Sequence, residues 1–135
     1  MNIAMIDDNL TTLKVNEVML RKRLAIIDGD RLDQFSTPDD FFEKIAHQDI
    51  NHYSILIVDY DLRDTKINGY GLIAEMQKNG FIGKAVLLTG DDSTSMGIRM
   101  KLTRDVEYVV KNVPMGSNDT ISVLSELIFK VRESV

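Results

Sequence analysis

The chain has 135 residues, 44% of them hydrophobic and 27% charged, with two prolines, so it can bury a substantial core and reads as one domain over residues 1–135. It has no cysteine, which excludes disulfides, thiolate metal sites and a cysteine nucleophile. A net charge of −5 argues against nonspecific DNA binding, and no apolar run is long enough to span a bilayer, so a cytoplasmic protein with no nucleic-acid or membrane partner is expected.

Asn2-Ile3-Ala4-Met5-Ile6 is a short apolar run that ends in Asp7-Asp8-Asn9. It reads as a strand followed directly by acids. Thr11 to Arg23 reads as a helix, with Leu13, Leu20 and Leu24 close to one stripe, Val15, Val18 and Met19 beside it, and basic residues in the last turn. Asp28-Gly29 is a turn signal; the intervening Ile26-Ile27 either extends the helix or forms a packing loop. Arg31 to Ser36 alternates weakly, which suits an edge strand.

Thr37-Pro38-Asp39-Asp40 is a helix start, with Thr at the cap, Pro in the first turn and acids beside it. Phe41, Phe42, Ile45 and Ala46 form its inward face, and it ends near Gln48. Ser54 to Asp61 follows, with four apolar residues in a row, three of them β-branched, that stop at Asp59, the pattern of a strand buried on both faces. A lone acid there could equally cap a helix or turn. After a polar loop, Tyr70, Leu72, Ile73 and Met76 mark a helix that stops at Asn79-Gly80. Lys84 to Thr89 is the fourth strand. A short helix is expected over 93–102, Val106 to Val110 is the fifth strand, and Lys111 closes it. Ser117 is expected to cap a last helix carrying Ile121, Leu124, Leu127, Ile128 and Val131.

Five strand–helix repeats imply a parallel sheet covered on both faces. Right-handed crossovers and a polar second strand at one edge select the flavodoxin-like α/β order 2-1-3-4-5. That order gathers Asp7, Asp8, Asp59, Thr89 and Lys111 at the carboxyl ends of four strands. Three close carboxylates repel unless a cation neutralises them. Their hard oxygens, without His or Cys, suit Mg²⁺ or Mn²⁺. Lys111 adds a point charge suited to a phosphoryl group.

With Met5-Ile6-Asp7-Asp8, Ile57-Val58-Asp59, Leu87-Leu88-Thr89-Gly90 and Tyr108-Val109-Val110-Lys111 in this order, the sequence resembles the receiver domain of two-component response regulators along nearly its whole length. The resemblance implies the roles. Asp59 would accept the phosphoryl group from a histidine kinase or phosphotransfer protein. Asp8 would ligate Mg²⁺, Asp7 would help through water, and the backbone carbonyl of Asp61 would complete the protein ligands along with Asp59. Lys111 and Thr89 would bind phosphoryl oxygens, and Tyr108 would follow Thr89 as the switch. A downstream protein would dock on the face of the fourth helix, fifth strand and last helix. Such a switch is no turnover enzyme; it catalyses only its own phosphorylation and dephosphorylation.

The chain departs from the family pattern after Lys111, where Asn112 stands in place of a cis-bonded Pro. It also departs after Asp59, where the loop lacks the usual Pro and is about two residues longer. Asp61 puts an extra acid where it could face the phosphoryl group, so an altered dephosphorylation rate is expected. The plainer readings are that Asp7, Asp8 or Asn9 caps the first helix, that Lys111 only neutralises an acidic edge, that Thr89 is a strand former, and that Tyr108 is core. His47 and His52 read as exposed bystanders. Two other functions fit the motifs: a degenerate receiver acting only as an interaction module, and a haloacid-dehalogenase-type phosphatase using Asp59-Tyr60-Asp61. The second normally carries its motif on the first strand of a much longer chain. The chain stops shortly after its last predicted helix, as a single-domain regulator or as a receiver cut from a longer protein would.

Overall fold

The computed structural model describes residues 1–63, 66–90, 106–111 and 119–134. The helix expected over 93–102, the Lys111–Asn112 bond and Ser117 fall wholly or partly outside them. The described elements are β1 (Asn2–Ile6), α1 (Leu10–Lys22), β2 (Arg31–Phe35), α2 (Pro38–Ala46), β3 (Ile55–Asp59), α3 (Gly69–Lys78), β4 (Lys84–Thr89), β5 (Val106–Val110) and α4 (Thr120–Glu133). The strands form one parallel sheet in the order β2-β1-β3-β4-β5. This is the flavodoxin-like order, with the polar strand β2 at an edge.

The pleat explains the continuous apolar runs. Successive side chains point to opposite faces, and both faces are covered. Ala4, Ile6, Leu56, Val58, Ala85 and Leu87 pack with Phe41, Leu72, Ile73 and Met76 beneath α2 and α3. Ile3, Met5, Ile55, Ile57, Val86 and Leu88 pack with Leu13, Leu20, Leu124 and Ile128 beneath α1 and α4. All five residues of β3 are buried, as expected of a strand with helices on both sides.

Side-chain oxygens cap every described helix. Asn9 accepts the Thr12 N–H at the start of α1, Thr37 accepts the Asp40 N–H at α2, and Asn68 accepts the Gly71 N–H at α3. Asn9 therefore frees Asp7 and Asp8 from capping. The last helix corrects the expected Ser117 cap: Asp119 accepts the Ser122 N–H at 2.7 Å and α4 begins at Thr120.

The end of α1 also differs from the periodic reading. The helix stops at Lys22, and Leu24 adopts a left-handed φ of 59° and is 68% exposed. The Ala25 N–H then bonds the Leu20 carbonyl, and Ala25 and Ile26 fill the core in its place. The segment is a packing loop. Val15 and Val18 face solvent, and so does Ala46, the last residue of α2, next to the buried Ile45.

Candidate functional site

β1 and β3 lie side by side, with Ile6 opposite Val58, so the residues that follow them emerge together. Asp59 continues the Ile55–Ile57 side of its strand and Asp7 the Ile3–Met5 side of its own. Both acids therefore sit where an apolar side chain would be buried, and each is only 3% exposed. Burial is the largest influence on Asp7 and pushes its carboxyl up to about 6. The nearby Asp59 and Asp8 add to the rise, while the Asn9 N–H, at 2.9 Å from Oδ1, and Lys111 oppose it. Asp59 is likewise held above the ordinary carboxylate range, first by burial, against the pull of Lys111 and the Asp61 N–H.

Lys111 reaches Asp59 from two strands away. Its N–H bonds the Thr89 carbonyl at 2.7 Å, which fastens the end of β5 to the end of β4. From that anchor its Nζ crosses β4 and lies 2.7 Å from Asp59 Oδ1. With Asn following Lys111 instead of Pro, the lysine still meets the acid.

Asp8 is more open. Its Oδ2 accepts the Arg63 main-chain N–H at 3.2 Å, and the Arg63 Nε lies 4.0 Å away. Asp7, Asp8, Asp59, Asp61, Arg63 and Lys111 line a cleft of about 460 Å³ at the carboxyl edge of the sheet. Asp7, Asp8 and Asp59 can each direct one oxygen so that all three lie within 4.8 Å of one another. Clustered hard oxygens, two of them on buried acids that resist ionising, fit a small divalent cation such as Mg²⁺.

Two predicted site residues stand apart from this cleft. Thr89 is buried at the end of β4 and is not among the described residues lining it. Its pleat places it on the side of Leu87, whose register partner is Tyr108. Tyr108 is half-buried against the α2–α3 side of the core. Asp61 lines the cleft, and its N–H points at Asp59 Oδ1 over 3.4 Å. His47 is exposed, while His52 packs edge-on against Tyr53 with ring centroids 4.8 Å apart.

The residue pattern did not single out Arg63 or Gly69. A Cβ at Gly69 would run into the Asp59 carbonyl oxygen and crowd the Tyr60 Cα. Its N–H bonds the Tyr60 carbonyl at 3.0 Å. Gly69 thus lets α3 start directly against the acid-bearing strand end. A glycine in the first turn after a capping Asn is the only trace of this in the sequence. Nothing in the spacing marks Arg63.

No protein-family model and no curated protein matches the sequence. Solved structures do match. A CheY-like receiver domain protein from Methanospirillum hungatei superimposes with a TM-score of 0.70 at 18% identity, covering 99% of this chain and 98% of that one. The fold is that of response-regulator receiver domains. A receiver protein from Pseudoalteromonas atlantica has the same receiver fold, with a TM-score of 0.75 at 15% identity and coverage of 99% and 98%. So does the response regulator TrrA from Thermotoga maritima, solved with Mg²⁺ and BeF, with a TM-score of 0.65 at 21% identity and coverage of 96% and 97%. At such identities the likeness establishes the receiver fold, and what the acids do rests on their own chemistry.

Proposed function

We propose that this chain is a phosphorylatable signalling switch of a two-component system, with Asp59 as phosphoacceptor and a histidine kinase or phosphotransfer protein as donor. The observation that carries this reading is the pairing of Asp59 with Lys111 at 2.7 Å, beside two further carboxylates, at the carboxyl edge of a receiver-fold sheet. An Asp59 oxygen attacks the phosphorus of a phosphohistidine. The new O–P bond forms as the P–N bond breaks, and the imidazole leaves with the electron pair and takes up a proton. Catalysis of such a transfer is mainly positioning and charge neutralisation.

The chain's residues divide that work. Burial fixes the Asp59 carboxylate at the strand end, and Lys111 moves from the carboxylate to the transferred phosphoryl oxygens as the charge moves there. Asp8 and Asp59, with the Asp61 carbonyl and Asp7 through water, would hold Mg²⁺. That ion supplies further charge neutralisation when bound. The added phosphoryl charge at the end of β3 draws the Thr89 hydroxyl toward it, and Tyr108 follows on the same side of the sheet. Tyr108 and β5, with α4 beside them, then form part of the surface read by a downstream protein.

Two observations weigh against the alternatives. A phosphatase of the haloacid-dehalogenase type would carry its nucleophile on the first strand, whereas Asp59 ends the third. A purely degenerate receiver has no need of a lysine held on a buried aspartate. The test is beryllofluoride with Mg²⁺, followed by NMR of the parent chain and Asp59→Asn. Shifts at Thr89 and Tyr108 in the parent alone support the proposal, and identical responses in both proteins defeat it.

A further inference from the structure

The acidic cleft contains a second basic residue that the proposed chemistry does not use. Arg63 lies four residues past Asp59, on the loop that leaves the strand, and its side chain is 80% exposed. Its main-chain N–H and its guanidinium nevertheless converge on one atom, Asp8 Oδ2. Of the three clustered acids, Asp8 is the most open to solvent. It is therefore the first carboxylate an incoming cation would meet, and Arg63 already faces it.

We propose that Arg63 is a resident countercharge for the cleft. It holds Asp8 while no metal is bound and yields that carboxylate to an arriving divalent cation. The inference rests on the receiver reading for the identity of the cation. Two consequences follow from the geometry. First, the guanidinium weakens cation binding, because some of the attraction of Asp8 is already spent on it. Second, the loop after Asp59 senses the ion, because the same Arg63 amide that anchors the loop loses or shares its acceptor. Arg63 is thus a positioning residue acting through Asp8, and it sets the cation concentration at which the cleft fills.

An exposed ion pair at this distance is weak, so the effect is modest: about two- to fivefold in affinity. The experiment is calorimetric titration of Mg²⁺ into the full chain, comparing the parent with Arg63→Ala and Arg63→Lys. Arg63→Ala should bind about two- to fivefold more tightly. Arg63→Lys should stay near the parent, and the gap should shrink at high salt as the pair is screened. NMR of the parent should show the Arg63 amide shifting as Mg²⁺ is added.

Equal or weaker binding by Arg63→Ala overturns the inference while leaving the receiver reading intact. So does an Arg63→Lys variant that behaves like the alanine, since the charge would then not be the cause. No binding by any of the three overturns the inference together with the metal part of that reading. Phosphorylation of Asp59 is scored separately by mass.

Discussion

Asp7→Asn should make the metal-free protein more stable at neutral pH. Asp7 is a buried acid whose carboxyl is moved from 3.8 up to about 6. That difference corresponds to about 3 kcal/mol of penalty on the charged form. The sign follows from proton counting. Between about pH 4 and pH 6 the folded chain keeps a proton on Asp7 that the unfolded chain has released. Asp7 therefore costs stability progressively as pH rises through that window, and the full cost is present above it. Asparagine removes the charge while its side-chain oxygen can still accept the Asn9 N–H that Asp7 now accepts. Some of the gain is lost to imperfect amide packing, so about 1–3 kcal/mol is expected at pH 7.5, or roughly 3–10 °C in Tm for a domain of this size. Thermal unfolding followed by circular dichroism in EDTA, at pH 4 and pH 7.5, measures it. The two proteins should melt close together at the lower pH and separate at the higher one. A parent–variant difference that is independent of pH, or a variant less stable at pH 7.5, would refute this account of the buried acid.

Lys111→Met keeps the aliphatic stem but leaves Asp59 without its cation, and should cost about 1–3 kcal/mol at pH 8. Because the buried Asp59 can then take up a proton more readily, chemical denaturation should show the loss shrinking as the pH is lowered. Gly69→Ala forces a methyl group into the Asp59 carbonyl and should cost about 3 kcal/mol or more by urea unfolding. An alanine of unchanged stability would show that α3 is not seated on the strand end. Leu24→Gly relieves a left-handed leucine whose side chain is mostly in solvent, and should gain about 0.5–1 kcal/mol in the same assay.

The sheet was legible because each strand stands out by composition. Three, β1, β3 and β4, are nearly continuous apolar runs buried on both faces, and the weak alternator Arg31–Phe35 and the more exposed Val106–Val110 belong at the two edges. Once the order is known, the positions of Asp7, Asp59, Thr89 and Lys111 follow from their places at strand ends. The ends of helices were less legible. Leu24 continues the apolar period of α1, but the backbone reverses there and Ile26 takes the core position. Asp119 is the cap of α4 because its carboxylate, held beside Arg23 at 3.7 Å, reaches the Ser122 N–H. Periodicity has no access to such three-dimensional contacts. The same holds for Gly69 and Arg63. One matters because backbone passes close to backbone, the other because a loop folds back onto the first strand's acids.

The central claim is that Asp59 forms the acyl phosphate. Incubating the full chain with acetyl phosphate and Mg²⁺, then locating any added mass by peptide mass spectrometry, tests it most directly. The account predicts one phosphoryl group on the peptide containing Asp59, removable by hydroxylamine and absent from Asp59→Asn. Label on another residue, equal label on both proteins, or no label on either would contradict it.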